Sequence, residues 1–157
     1  MLLQWEFLDG NDRHDAGIAL LAQLYRQQTG EDLPEIAITD RGKPYFPGKN
    51  LHFSISHTDK RVFCCLHTEN VGIDAEEADR SVNLNIAQKW LSPLEQQRLA
   101  AAEDKNAAFL RLWVLKESYA KCTGRGLGNY LKETDFDPFD PRVQLIEGCY
   151  IAVITYP

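Results

Sequence analysis

"VGIDAEE", residues 71–77, starts as a buried strand and ends in three acids. Val71, Ile73 and Ala75 alternate with Gly72, Asp74 and Glu76, and in an extended chain residues two apart share a face. The apolar set therefore points into a core while Asp74 and Glu76 stand side by side. Like charges that close repel, and each resists losing water. A hard divalent cation removes the repulsion, because Mg²⁺ takes oxygen ligands and is commonly held by one or two carboxylates with substrate phosphate. A solvated edge strand carries the same D-x-E pattern, so the pair alone leaves both readings open.

Upstream, "LHFSIS" alternates and "RVFCCLH" is apolar on both faces, as a central strand should be. With "VGIDAE" after a short turn at Glu69-Asn70, these three predict an antiparallel meander. Before them come an opening strand, "LLQWEFL", and a helix, "DRHDAGIALLAQLYRQQTG", with Gly30 as its stop. "EIAIT" reads as a short strand, followed by the breakers of "DRGKPYFPG". Downstream the chain turns helical: "LNIAQKWL" runs into "SPLEQQRLAAA", where Ser92, Pro93 and Glu95 form a capping box with proline at the first position. "DKNAAFLRLWVLKESYAKCTG" is the longest helix, with Ala108, Leu112, Leu115, Tyr119 and Cys122 as core stripe and Gly124 as end. A loop-rich segment follows, with a strand expected near residues 134–136. "RVQLIE" and "CYIAVITY" close the chain as a hairpin around Glu147-Gly148. Strand, helix, then strands occurs in each half, which permits two similar lobes with a cleft between them.

The bulk numbers suit one domain with a full core, or two small lobes sharing one. The chain has 157 residues, 44% of them hydrophobic, and a net charge of −6. With no long basic run, broad nucleic-acid binding is disfavoured. The four cysteines form no C-x-x-C pair and the four histidines no zinc spacing, so the thiols read as small buried hydrophobes of a reducing compartment. The start of the chain meets acid at Glu6 and Asp9 and lacks the pattern of a signal peptide. No apolar run approaches the roughly 20 residues of a membrane span. A cytoplasmic protein is expected, with no membrane partner.

Three further elements carry chemistry. On a helix, Trp113, Glu117 and Lys121 are each four apart and form a stripe opposite the core stripe. Glu117 and Lys121 also make an ordinary surface ion pair, but a tryptophan on that face suggests a helix covered on both sides. A buried Glu117 wants a cation and could complete the site begun by Asp74 and Glu76. In "DRGKPYF", Gly42 and Pro44 hold Lys43 in a turn, either as a phosphate contact or as an exposed loop lysine. In "SISH", His57 sits where a strand meets a turn and could donate to phosphate or cap the turn.

Taken together, in order, "GKP" (42–44), "SISH" (54–57), "GIDAE" (72–76), "LSPLEQQRL" (91–99), "WVLKESYAK" (113–121) and "GRGL" (124–127) resemble the 4′-phosphopantetheinyl transferases. The match is to the larger, surfactin-synthetase-activating type, over about residues 12–137. The resemblance implies two similar α+β lobes forming a pseudo-dimer, each a small antiparallel sheet packed with a long helix. The lobes would span about 1–69 and 70–157 of a single 1–157 transferase unit. It implies transfer of the phosphopantetheine arm of coenzyme A to a serine of an apo acyl or peptidyl carrier protein, with adenosine 3′,5′-bisphosphate as the other product.

By the family pattern, Asp74, Glu76 and Glu117 hold Mg²⁺ against the coenzyme pyrophosphate. Glu117 accepts the serine proton, Lys121 contacts the pyrophosphate, and Lys116 helps. Lys43, Pro44, Ser56 and His57 hold the nucleotide end. One chain would build one site, so a monomer is expected. Several features depart from the pattern. The region before "GKP" is shorter than usual, which leaves Arg13 and Arg41 as substitutes for basic contacts to the coenzyme 3′-phosphate. Ala75 stands where the family carries a bulkier residue, and Leu91 stands for its phenylalanine. Carrier docking would use a local basic patch, with Lys89, Arg98 and Lys105 as candidate members; a plain solvated helix face is the alternative for those three. Two other functions use the same acids: a Mg²⁺-dependent phosphoesterase or nuclease, and a non-catalytic carrier-binding relative.

Overall fold

Alternation at 52–57 and the doubly apolar run at 61–67 build the first sheet of the computed structural model, which describes residues 1–8, 10 and 12–156. Asp9, read above as part of the acidic start, lies outside them. Strand β1 (Leu2–Phe7) is followed by helix α1 (Arg13–Thr29), the two-residue strands β2 (Ala37–Ile38) and β3 (Pro44–Tyr45), then β4 (His52–His57) and β5 (Arg61–His67). The sheet order is β1-β5-β4, antiparallel throughout, while β2 and β3 pair separately. Helix α1 starts at Asp12, whose carboxylate accepts from the His14 N–H, and ends at Gly30. Its buried face, Leu20, Leu21, Leu24 and Tyr25, packs on Phe53, Val62, Cys64 and Leu66 of the sheet and on Phe46.

The second sheet takes β6 (Asn70–Glu77), then β7 (Val143–Ile146) and β8 (Cys149–Tyr156), in the antiparallel order β6-β8-β7. Between β6 and β7 come helices α2 (Ala87–Trp90), α3 (Pro93–Ala101) and α4 (Lys105–Thr123). The capping box at the start of α3 is present, with Ser92 and Glu95 each bonding the other's backbone. The β7–β8 turn places Glu147 and Gly148 both at positive φ, 48° and 77°, the geometry that matches the twist of a two-residue hairpin. Leu112, Leu115 and Cys122 of α4 pack against Val143, Ala152 and Ile154. A third cluster, Phe63, Cys65, Val71, Ile73, Ala75, Cys149 and Ile151, fills the space between the sheets. All four cysteines are free and buried, and among the described residues no helix is long and apolar enough to cross a membrane.

Two expectations are corrected. The predicted meander does not form, because β5 already has β1 on one edge and β4 on the other. With no free edge on β5, β6 crosses to the second sheet and pairs with β8. Nor is there a strand at 134–136: a 3₁₀ turn spans Asn129–Glu133, and side chains take up the backbone that follows. The Lys116 ammonium bonds the carbonyls of Leu131 and Thr134, and Glu95 accepts the Phe136 N–H.

Gly72 sets the closest approach in the fold. A Cβ there would lie 2.0 Å from the Ser118 carbonyl oxygen and 2.4 Å from the Cys122 nitrogen. Only glycine lets β6 lie directly on α4, and that contact places the strand's acids beside the helix.

Candidate active site

The acids of 71–77 project where β6, α4 and the end of β4 converge. Asp74, Glu76, Glu117, Lys121, Ser56 and His57 line one cavity of about 380 Å³. The two strand acids thus reach the same space as the helix acid, although 43 positions separate Asp74 from Glu117. Ten of the 19 residues of α4 are buried, on more than one side. Trp113, on the Glu117 stripe, is covered by Phe109 and Trp90, each with ring centroids 6.0 Å away. The double coverage expected from that tryptophan is real, and it leaves Glu117 partly buried.

Asp74 is the pivot. The residue is only 5% exposed. Oδ1 accepts from Lys121 Nζ at 2.7 Å and from Ser56 Oγ at 2.9 Å. Oδ2 is buried and accepts no hydrogen bond, a state that ordinarily costs about 1–3 kcal/mol or more for a charged group. Glu76 is paired with Arg80 four residues on, and burial pushes its carboxyl above the usual range, with Asp74 adding to the rise and Arg80 opposing it. Burial likewise pushes the Glu117 carboxyl up to about 7; the neighbouring charges of Asp74 and Glu76 add to the rise, and Lys121 and Arg80 oppose it. The three acids feel one another.

A hard divalent cation suits this donor set. The orphaned Asp74 oxygen lacks a partner, and the charge that raises Glu117 is the charge a cation would cancel. In this structure Lys121 and Arg80 supply the positive charge instead. Among the described residues, no three acid, histidine or cysteine groups are drawn around one coordinating point.

Toward α1 the cavity shares Ile55 and His57 with a second of about 600 Å³, whose walls include Ile36, Ile38, Pro44 and Phe53, with Arg13 at its rim. On the other side, Lys43, Pro44 and Gly124 line a third of about 260 Å³ that shares Ile55 and Lys121 with the first. Lys43 Nζ donates to the Cys122 carbonyl at 2.5 Å, so its ammonium closes the last turn of α4. Burial lowers its pKa.

Two predicted site residues have other partners in the structure. Lys116 is not at the site: it is fully buried and ion-paired at 2.7 Å with Glu95, which is equally buried. One position from Glu117 on a helix is a rotation of about 100°, which turns Lys116 toward α3. Its ammonium has no reach into the cavity. Ser56 lines the cavity, but its hydroxyl is committed to Asp74, Lys121 and the Ala75 N–H. Of the basic docking candidates, Arg98 bonds the Phe136 carbonyl and pairs with Asp137, while Lys89 lies over the Trp90 ring. Two participants escaped the sequence reading: Arg80, which pairs with Glu76, and Gly72. Gly72 carried a signal, since a glycine inside a buried strand marks a close approach.

Comparison with known proteins gives the family. Residues 70–151 match the family model described as the 4′-phosphopantetheinyl transferase superfamily. The 4′-phosphopantetheinyl transferase Sfp of Bacillus subtilis strain 168 is 32% identical over 116 residues, 71% of this chain and 51% of that protein. Another Bacillus subtilis 4′-phosphopantetheinyl transferase is 34% identical over 93 residues, 57% of this chain and 41% of its own length. The 4′-phosphopantetheinyl transferase HetI of Nostoc is 29% identical over 131 residues, covering 77% of this chain and 55% of HetI. The matched regions thus span about half the length of these relatives. The matched segment runs from the start of β6 through α4 into β8 and holds Asp74, Glu76, Glu117 and Lys121, and on that match the chain belongs to the 4′-phosphopantetheinyl transferase superfamily.

Proposed function

We propose that this protein transfers the 4′-phosphopantetheine arm of coenzyme A to a serine of an apo acyl or peptidyl carrier protein. One observation carries the reading: three acids and a lysine from two distant segments open on one cavity, and they fall inside the family match. Asp74, Glu76 and Glu117 are the residues that would hold Mg²⁺. When bound, the cation neutralises charge on the coenzyme pyrophosphate.

The remaining work falls to side chains. Glu117, which opens on the cavity from α4, would accept the serine proton, directly or through a water. As that proton leaves, the serine oxygen forms a bond to the phosphorus next to the pantetheine. The bond from that phosphorus to the bridging oxygen breaks, and adenosine 3′,5′-bisphosphate departs. Lys121 moves from Asp74 to the pyrophosphate and offsets the departing charge. His57, Pro44 and the stem of Lys43 line the flanking cavities and would take the nucleotide end. Arg13 at the rim is placed to meet a phosphate there.

We also infer that the two halves, about 1–69 and 70–157, are lobes of one repeated design. Each carries one long helix and a three-stranded antiparallel sheet whose first strand lies beside its last, in the orders β1-β5-β4 and β6-β8-β7. The cavity lies between them with walls from both, which supports a complete site in one chain and a monomer. Four free, buried thiols agree with a cytoplasmic setting.

The test is chromatographic. With coenzyme A and Mg²⁺, adenosine 3′,5′-bisphosphate should form only when an apo carrier domain is present. Release of the nucleotide without carrier would favour a phosphoesterase, and no release under either condition would favour a non-catalytic relative.

A further inference from the structure

Strands β4 and β6 lie side by side at the meeting of the two sheets, each an edge strand with no backbone ladder to the other. Two serines of β4 bridge the gap. Ser54 Oγ accepts the Ile73 N–H at 3.0 Å, and Ser56 Oγ accepts the Ala75 N–H at 3.2 Å. The partners advance by two residues on both strands, so the strands run parallel with side-chain oxygens standing in for carbonyls. Both serines are buried.

The two are not equivalent. A serine hydroxyl has one proton to give and two lone pairs. Ser56 Oγ lies 3.2 Å from the Ala75 nitrogen, 3.2 Å from Lys121 Nζ and 2.9 Å from Asp74 Oδ1. The amide and the ammonium can only donate, so both lone pairs are taken. The hydroxyl proton then has one destination, Asp74 Oδ1. That bond, with the one from Lys121, occupies Oδ1 and leaves Oδ2 buried without a hydrogen-bond donor.

We propose that Ser56 is a positioning residue for the cation site: it ties the seam between the sheets to the Asp74 carboxylate, and by holding Oδ1 it reserves Oδ2 for the metal. Ser54 makes the neighbouring seam bond without touching an acid and serves as the internal control. This rests on the assignment of Asp74 as a cation ligand.

The experiment is calorimetric titration of Mg²⁺ into wild-type, Ser54→Ala and Ser56→Ala proteins with coenzyme A present, beside thermal melts of each. Loss of a seam hydrogen bond should lower Tm in both variants. Cation affinity should fall about 10- to 100-fold in Ser56→Ala, the ordinary consequence of removing a partner of a metal-ligating group, and stay within about twofold in Ser54→Ala. Ser56→Cys, nearly isosteric with a weak donor, gives the same reading should the alanine variant not fold, and an intermediate loss is expected. Wild-type cation affinity in a folded Ser56 variant, or equal losses in the Ser54 and Ser56 variants, overturns the positioning role alone. Absence of Mg²⁺ binding by the wild type overturns the cation site itself and the inference with it.

Discussion

Glu117 keeps its proton to about pH 7, against 4.5 for an ordinary glutamate, mainly because it is buried. The folded protein therefore binds more protons than the unfolded chain between those values, and stability from this group falls as pH rises through that window. Thermal melts in chelator should show Tm declining between pH 4.5 and 7. Added Mg²⁺ should recover part of the loss, and Glu117→Gln should flatten the slope; a Tm that ignores the substitution would show that Glu117 is not the group responsible. At this scale the acids were readable from sequence: alternation puts Asp74 and Glu76 on one face, and four-residue spacing puts Glu117 and Lys121 on another. Ser56 and Arg80 were not readable in their roles. The Ser56 hydroxyl gains its meaning from Asp74 on a strand of the other sheet, and Arg80 gains its meaning from the burial of Glu76.

Among elements, the contact of β6 with α4 brings the acids together, and Gly72 permits it. Gly72→Ala places a methyl against the Ser118 carbonyl and the Cys122 nitrogen, backbone that cannot turn aside. Denaturant melts should show a loss of about 1–3 kcal/mol or more, the range for overpacking, and the transfer rate should fall with it as the acids separate. Lys116→Met breaks a buried ion pair and should cost about 3–5 kcal/mol of stability. Because that pair joins α3 to α4 away from the cavity, activity per folded molecule should hold. A drop in kcat at full folding would return Lys116 to the site. Lys43→Ala should raise the KM for coenzyme A more than it lowers kcat and should also lower Tm, since its ammonium closes α4. The reverse split would place Lys43 in the chemical step. Element types follow local pattern, whereas pairing does not: β1, the better part of 60 residues upstream, occupies the edge of β5 that β6 would have used.

For the molecule as a whole, the sequence permits two similar lobes, each with a strand, a helix and then strands, and that remains a proposal. The apolar cluster that β5, β6 and β8 form between the two sheets was not legible in sequence, because a strand apolar on both faces does not say what covers each. If one chain holds a full site, sedimentation should give a monomer whose specific activity is independent of protein concentration; activity that rises with self-association would point to a site shared between copies. The most direct test of the central claim is the intact mass of an apo carrier domain after incubation with this protein, coenzyme A and Mg²⁺. Wild-type protein should add one phosphopantetheine per carrier serine, and folded Glu117→Gln should add none. An unmodified carrier with the wild type, or equal modification by the variant, would contradict it.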